Sequence, residues 1–327
     1  MPHPYLVEPG LLTRLRELVP GRAVLVTDSN VQRAQPVRGF EVIVLPAGEE
    51  HKTLDTVRTV YARLVELEAD RQTALVAVGG GVVGDLAGFA AATFLRGLPF
   101  YQVPTSLLAM VDASIGGKTG VDLPEGKNLV GAFHLPQAVY VDPEALSTLP
   151  EAELSAGMAE VLKHGLIADP GLFQLCLGPV EDWPDLIRRA ARVKLDIVRR
   201  DPLEHGERAY LNLGHTLGHA LETAAGYRGL SHGEAVGLGL LAAVSLASRM
   251  GRLESVPDVA AALRLWGLPT RIPRLPWEAV RQALKRDKKR RDGRLRFVLP
   301  VRAGKVELCS EVPLDMVKEV FQELCEP

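Results

Sequence analysis

Val76-Ala77-Val78 runs straight into Gly79-Gly80-Gly81-Val82-Val83-Gly84-Asp85, and an apolar helical run starts at Leu86. A strand, a turn without side chains and a helix, in that order, is one step of an alternating β/α fold, whose strands pair in parallel. The same alternation surrounds it. Segments 23–27, 42–45, 74–78, 100–103 and 138–141 are rich in Val and bounded by Gly, Pro or Asp, the pattern of buried strands. Val57, Val60, Tyr61, Leu64 and Leu67 recur at helical spacing between them. Beyond about Leu149 the texture changes to helical periodicity over 153–168, 184–200, 209–225, 233–250, 257–266 and 277–289. Only 295–300 and 305–309 read as strands there, a small hairpin. The expected fold class is an α/β N-terminal Rossmann-like parallel-sheet domain over 1–149, plus a mainly α-helical C-terminal domain over 150–327.

Charge and cysteine usage narrow the class of partner. With 38 Lys+Arg against 40 Asp+Glu, the net charge of -2 argues against a general nucleic-acid binder. The longest uncharged run, 97–111, contains Pro99 and Pro104 and falls short of the roughly 20 apolar residues a membrane span needs. Met1-Pro2-His3-Pro4 lacks the basic-then-apolar pattern of a secretory signal. Cys176, Cys309 and Cys325 form no CxxC and cannot make an even disulfide framework. A cytoplasmic protein with a small-molecule partner, and neither nucleic acid nor membrane, is the expectation.

Gly79, Gly81 and Gly84 form a GxGxxG, which lets backbone N–H groups approach a pyrophosphate at a helix N-terminus. It departs from an ordinary dinucleotide fingerprint by following the third strand. Nor does an acid for the ribose stand about 20 residues on. A glycine-rich packing turn is the plainer alternative. Asp28 and Asn30, Glu49 and Lys52, and Thr105 and Ser106 all follow strands, at the ends where open parallel sheets bind ligands.

His215 and His219 stand at i and i+4 of a predicted helix, on one face, and His232 opens the next; these are three of eight histidines. Glu160, in an otherwise apolar helical stretch, offers a carboxylate. Two His and one carboxylate around an open position suit a catalytic zinc. Thr216 stands where HExxH would need glutamate, which disfavours a metalloprotease. Four candidates exceed three ligands, so one of His215 or His219 is left for proton transfer. Histidines satisfied within a helical interface are the alternative. The segment 112–120, with Lys118 among glycines, resembles a phosphate loop without the GxxxxGK[ST] spacing. With Lys127, Lys163, Lys194, Arg208 and Arg96 beside glycines or apolar residues, it suggests a small, strongly anionic ligand. The run 285–291 reads as a solvated helix end, from which Lys288 or Lys289 reaches a phosphate.

In order and length, GGGVVGD (79–85), FLRG (94–97), the run 102–134 containing DASIGGKTG and EGKN, AGMAEVLKHGLI (156–167), DPLEHGERAYLNLGHTLGHALE (201–222) and SHGEAV (231–236) resemble the 3-dehydroquinate synthase family of sugar-phosphate cyclases. The resemblance implies a homodimer that uses NAD and a divalent metal, usually zinc, with cobalt as an alternative. It implies conversion of 3-deoxy-D-arabino-heptulosonate 7-phosphate to 3-dehydroquinate and phosphate, by transient oxidation, phosphate elimination, reduction and intramolecular aldol closure. Carried over by position, it makes Glu160, His215 and His232 the metal ligands and His219 the proton relay. Lys118, Asn128, Asn212, His219 and Lys288 or Lys289 would hold phosphate, with Arg96 reaching over from a second copy. Lys194 and Arg208 would take the carboxylate, and Asp112, Lys163 and Glu204 the ring hydroxyls. NAD would contact Asp28, Asn30, Glu49, Lys52, Gly81, Val82, Val83, Gly84, Asp85, Thr105, Ser106, Lys118, Lys127, Leu146 and Thr148. The sequence departs from the pattern at His164, where Tyr is common, and at Ser106, where Thr is frequent. The rivals are a sibling cyclase such as 2-deoxy-scyllo-inosose synthase, whose substrate lacks the carboxylate, a metal-dependent polyol dehydrogenase, and a non-catalytic nucleotide-binding module.

Overall fold

The computed structural model describes residues 4–226, 229–290 and 295–326, with only the backbone of 287–290. The chain divides into two compact units, Met1–Pro150 and Glu151–Pro327.

In the first unit six strands form one sheet: β1 (Tyr5–Val7), β2 (Ala23–Asp28), β3 (Glu41–Leu45), β4 (Ala74–Gly79), β5 (Phe100–Pro104) and β8 (Ala138–Val141). Their order is β1-β8-β5-β4-β2-β3, and every neighbouring pair is parallel. β4 and β5 are buried along their whole length, which is why they read as unbroken apolar runs rather than alternating ones. Side-chain alternation along β4 feeds two cores. Leu75 and Ala77 join Val57, Val60, Leu64 and Leu86 on one face, while Val76 and Val78 join Leu11, Leu15 and Val103 on the other. The helix that supplies the first face, Leu54–Glu66, starts where the Thr53 hydroxyl accepts from the Thr56 N–H at 3.3 Å. From β2 the chain steps to β3 on one side, and from β4 to β5 on the other. The direction of winding thus reverses between β2 and β4, and the crevice beyond their carboxyl ends is the usual ligand position of such sheets.

Three features of this unit differ from the sequence expectation. β1 is a three-residue edge strand, too short to carry a pattern. The segment expected to resemble a phosphate loop is a π-helical turn, Ala109–Ala113, followed by an antiparallel hairpin of β6 (Lys118–Leu123) and β7 (Gly126–Phe133). Its glycines hid the strand alternation, yet they serve the pairing: Gly120 faces Gly131, where a Cβ would stand 2.3 Å from the Thr119 carbonyl oxygen.

The second unit is helical: Glu151–Ile167, Pro170–Leu175, Trp183–Arg200, His215–Ala224, His232–Arg249, Val259–Leu265, Trp277–Arg290 and Leu314–Leu324. β9 (Phe297–Arg302) and β10 (Lys305–Cys309) form its antiparallel hairpin. The single helix expected over 209–225 is instead a 3₁₀ turn, Glu207–Asn212, and a separate α-helix beginning at His215. Gly214 makes the break, at a left-handed φ of 77° open chiefly to glycine. The helices Pro170–Leu175 and Leu314–Leu324 were not anticipated.

Candidate functional site

At the end of β4 the glycines divide their work. A Cβ on Gly79 would lie 2.6 Å from Val83 Cβ, so packing demands glycine there, while one on Gly84 would meet the amide end of the Gln102 side chain, its Oε1 at 2.7 Å. At Gly80 and Gly81 the nearest atoms, Ser106 Oγ and Ala113 Cβ, are 3.4 Å away, an ordinary contact. The helix Gly81–Thr93 starts without a side-chain cap and without an acid in its first turn. Its N–H groups are therefore presented by an uncharged, uncapped end, the arrangement that attracts an anion. Packing holds Gly79, while Gly80 and Gly81 leave room beside the uncapped helix start.

Thr105 and Ser106, both buried, follow β5 beside this turn. The Thr105 N–H donates to the Gly79 carbonyl at 3.0 Å, and Ser106 Oγ accepts from the Ala109 N–H at 3.3 Å. Lys52 is 5% exposed, and its Nζ lies 2.6 Å from Asp85 Oδ2 and 2.7 Å from Asn128 Oδ1. Burial works against its charge, but Asp85, Glu49 and Asp122 outweigh burial and hold its pKa above the ordinary lysine value. Lys127 Nζ stands 3.6 Å from Glu49 Oε1, so the hairpin contacts the segment 49–52 through Lys127 and Asn128, and Lys52 in turn pairs with Asp85 beside the glycine turn.

Other candidates carry structural duties. Asp28 caps the helix Ser29–Ala34, its Oδ1 accepting from the Asn30 and Val31 N–H groups at 2.8 and 2.9 Å. Asn30 Oδ1 accepts from Arg33 at 2.7 Å. Thr148 accepts from Gln35 Nε2 at 2.9 Å, and Leu146 lies in the same 3₁₀ turn, Pro143–Thr148. Asp112 sits on the π-helical turn, anchored where Tyr5 Oη donates to the Met110 carbonyl at 2.6 Å. Lys118 is exposed at the start of β6. Arg96 is exposed too, left-handed at φ 68° directly after Leu95 at φ 49°.

In the second unit, helix contacts set the ligand geometry. A Cβ on Gly239 would stand 1.9 Å from the Gly214 carbonyl oxygen, one on Gly218 2.9 Å from the Ala235 oxygen, and one on Gly233 2.3 Å from Ala156 Cα. The helix His232–Arg249 thus touches its two neighbours backbone to backbone. Glu160, His215 and His232, one from each of the three helices, are thereby drawn to one point. His215 Nε2 lies 3.5 Å and His232 Nε2 3.6 Å from Glu160 Oε1, and one ligand atom from each residue falls within 4.8 Å of the others. Ser231 and Glu234 form a reciprocal capping box around the start of the His232 helix.

The outer nitrogens decide the tautomers. His215 Nδ1 is 3.1 Å from the Leu213 carbonyl oxygen, and His232 Nδ1 is 3.3 Å from Glu222 Oε2. Both acceptors are oxygens, so each Nδ1 carries a proton, and Nε2 is the atom turned toward the shared point. Burial, then the charge of Lys163, push His215 down to about 3, which keeps it neutral. Burial also opposes charge on His232, but Glu160 and Glu222 outweigh it and push it up to about 10; an ion taking Nε2 must displace that proton. Lys163 contacts Glu160 Oε2, and both are buried. Once the His232 Nε2 proton is displaced, two imidazole nitrogens and a carboxylate within one coordination radius fit a divalent zinc-type ion. His219 is exposed at the rim, its ring 5.1 Å from that of His215, and groups with Glu222 and His232 rather than with Glu160.

Sequence reasoning assigned no role to Glu222. A signal existed: it stands at i+7 from His215 and i+3 from His219, on their helix face.

The loop after Trp183–Arg200 is built on Asp201, which accepts from the N–H groups of His205, Gly206 and Arg208 at 2.8, 2.7 and 3.0 Å. It gathers Glu204, Arg208 and Asn212, with Asn212 Nδ2 3.5 Å from Glu204 Oε1. Arg208 donates to the Pro202 carbonyl and is 2% exposed, and Lys194 is 8% exposed. The side chains of Lys288 and Lys289 lie outside the described residues.

Residues 42–156 match the family model for the 3-dehydroquinate synthase N-terminal region, and 157–290 that for its C-terminal region. The chain belongs to the 3-dehydroquinate synthase family. A 3-dehydroquinate synthase of Synechococcus sp. is 49% identical over 88% of this chain and 83% of its own length. That of Symbiobacterium thermophilum is 44% identical over 97% and 96%. Among solved structures, a 2-epi-5-epi-valiolone synthase from Streptomyces hygroscopicus subsp. jinggangensis with NAD+ and Zn2+ bound aligns with a TM-score of 0.90 at 29% identity, covering 99% of this chain and 97% of that one. A 2-deoxy-scyllo-inosose synthase complexed with carbaglucose-6-phosphate, NAD+ and Co2+ aligns at 0.82 and 28%, over 98% and 96%. A probable glycerol dehydrogenase from Sinorhizobium meliloti, at 0.67 and 18%, shares the fold. No helix among the described residues is long and apolar enough to cross a membrane.

Proposed function

We propose that this chain is a 3-dehydroquinate synthase, converting 3-deoxy-D-arabino-heptulosonate 7-phosphate to 3-dehydroquinate and inorganic phosphate. The observation that carries the reading is the Glu160–His215–His232 cluster in a chain that matches the family across both of its regions. In this reading a bound zinc-type ion supplies Lewis-acid polarisation of substrate hydroxyls, and NAD a reversible hydride acceptor. Gly80 and Gly81, with the uncapped N–H groups of 81–83, receive the cofactor's pyrophosphate, while Glu49, Lys52, Thr105, Ser106 and Lys127 line its approach. Asp28 keeps its capping duty and still stands at the β2 end of the same crevice.

The chain's own work is positioning. Lys118, Asn128, Asn212 and His219 hold the phosphate, and His219 moves a proton at its imidazole. Lys194 and Arg208 are buried cations that take the carboxylate, which favours a sugar acid over a substrate with phosphate alone. Asp112, Lys163 and Glu204 orient the ring hydroxyls. Holding a multiply charged substrate at several points keeps the reacting atoms in near-attack geometry. We assign the protein to the cytoplasm as a homodimer, with Arg96 on its left-handed turn extended into the partner copy's site.

The test measures free phosphate from heptulosonate phosphate with NAD and zinc, with and without a chelator. Phosphate release that the chelator abolishes, without net NADH, is the expected result. Net NADH accumulation, or no phosphate release from the metal-loaded protein, overturns the reading.

A further inference from the structure

We infer that Glu222 is a positioning residue of the ion centre: its carboxylate accepts a hydrogen bond from the Nδ1–H of His232 and so aims His232 Nε2 at the point shared with Glu160 and His215. The inference rests on the proposed function only in treating that triad as an ion site, and it adds a residue outside the triad.

The two histidines are steadied by different means. His215 is 12% exposed at its side chain, packed, and held by the backbone oxygen of Leu213. His232 is 35% exposed at its side chain, so packing restrains its ring less, and its Nδ1 meets Glu222 Oε2 at 3.3 Å. Glu222 itself is only 4% exposed, on a helix that otherwise buries Thr216, Leu217, Gly218, Ala220 and Leu221. A carboxylate withdrawn from water to that degree is costly unless it has a polar partner, and the imidazole N–H is one. Two helical turns separate Glu222 from His215 on one rigid helix. That helix therefore supplies one ligand directly and the aim of a second, so a shift of the helix moves both together. A carboxylate on the outer nitrogen also makes the imidazole a stronger donor than a carbonyl does.

Glu222 also falls within 4.8 Å of His219 and His232 as a separate group of ligand atoms. An ion there would compete with Glu222 for the His232 ring, which the structure shows hydrogen-bonded through Nδ1 to Glu222 Oε2.

The test measures zinc affinity of the full chain without substrate, by competition with a chromophoric chelator, together with the visible spectrum of the cobalt-loaded protein. Glu222→Met keeps the volume and removes the acceptor, and is expected to bind zinc about 10–100-fold more weakly with an altered cobalt spectrum. Glu222→Gln retains an acceptor oxygen and is expected to stay within a few-fold of the parent, with the parent's spectrum. Should the methionine variant fail to fold, Glu222→Ala takes its place with the same expected loss. Parental affinity in the Met or Ala variant overturns the inference, as does an equal loss in Gln, or a second zinc per parent chain that the Glu222 variants lose. A parent chain that takes up no zinc tells against the ion site itself, and hence against the proposed function.

Discussion

Gly239→Ala tests whether backbone contact between helices sets the metal geometry. The added methyl would stand 1.9 Å from the Gly214 carbonyl oxygen and 2.7 Å from its carbon, atoms of a neighbouring helix start that cannot rotate away. Ordinary contact begins at 3.4 Å, so the two backbones must part by about 1.5 Å, the difference between these distances. Overpacking of this kind costs about 1–3 kcal/mol. The consequence for function is sharper, because His215 follows Gly214 directly and its Nε2 sits 3.5 Å from Glu160 Oε1. Metal–ligand distances tolerate deviations of about 0.2 Å, so a displacement several times larger opens the site. Zinc affinity should fall by at least about tenfold, the scale on which misaimed ligands fail, and the melting temperature should drop. Gly237→Ala is the control, since its methyl meets the Leu263 side chain, nearest at Cδ2 2.9 Å, the far end of a flexible side chain. Titration of zinc against a competing chelator, with thermal melts of both variants, decides the matter. A Gly239→Ala chain with parental zinc affinity and melting temperature would refute the reasoning.

Three further outcomes are expected. Lys118→Ala, at an exposed position, should cut phosphate release about a hundredfold and leave the melting temperature unchanged; full activity would remove Lys118 from the phosphate site. Lys52→Met strands Asp85 without its lysine and should cost about 3 kcal/mol in denaturant unfolding, with the added change Asp85→Asn recovering part of the loss; a single variant as stable as the parent would contradict the pairing. Hydrogen bonds from Arg189 hold the Asp169 carboxyl below its usual range. A depressed carboxylate stabilises the fold above its unfolded pKa of about 3.9 and ceases to as pH falls through the folded value. Asp169→Asn should therefore cost under about 1 kcal/mol at pH 7, less as the solution is acidified below that range, and a penalty that grows in acid would reverse the sign.

Much of this architecture could be read from residue order because local and tertiary preferences agree. β4 and β5 are apolar throughout because both faces are covered, and Val57, Val60 and Leu64 recur helically because that face is buried. Where glycine does the work, periodicity fails. The hairpin of β6 and β7 was hidden by Gly120 and Gly131, and the break before His215 by Gly214, since a missing side chain leaves no pattern to count. The site shows the same division. Glu160, His215, His219 and His232 were visible as residue types whose chemistry is narrow, and the family resemblance singled out His215 over His219. Asp28 as a helix cap and Glu222 as partner of His232 were not, because a carboxylate's role depends on which N–H it meets.

Glycine is the loosest residue a turn can contain, yet the turn after β4 hangs from a strand gripped on both faces by separate cores. Its steadiness is inherited from Leu75, Val76, Ala77 and Val78 rather than made locally. A loop can in this way be bare enough to admit a ligand closely and still be held still, with its rigidity stored several residues upstream, where no ligand ever reaches.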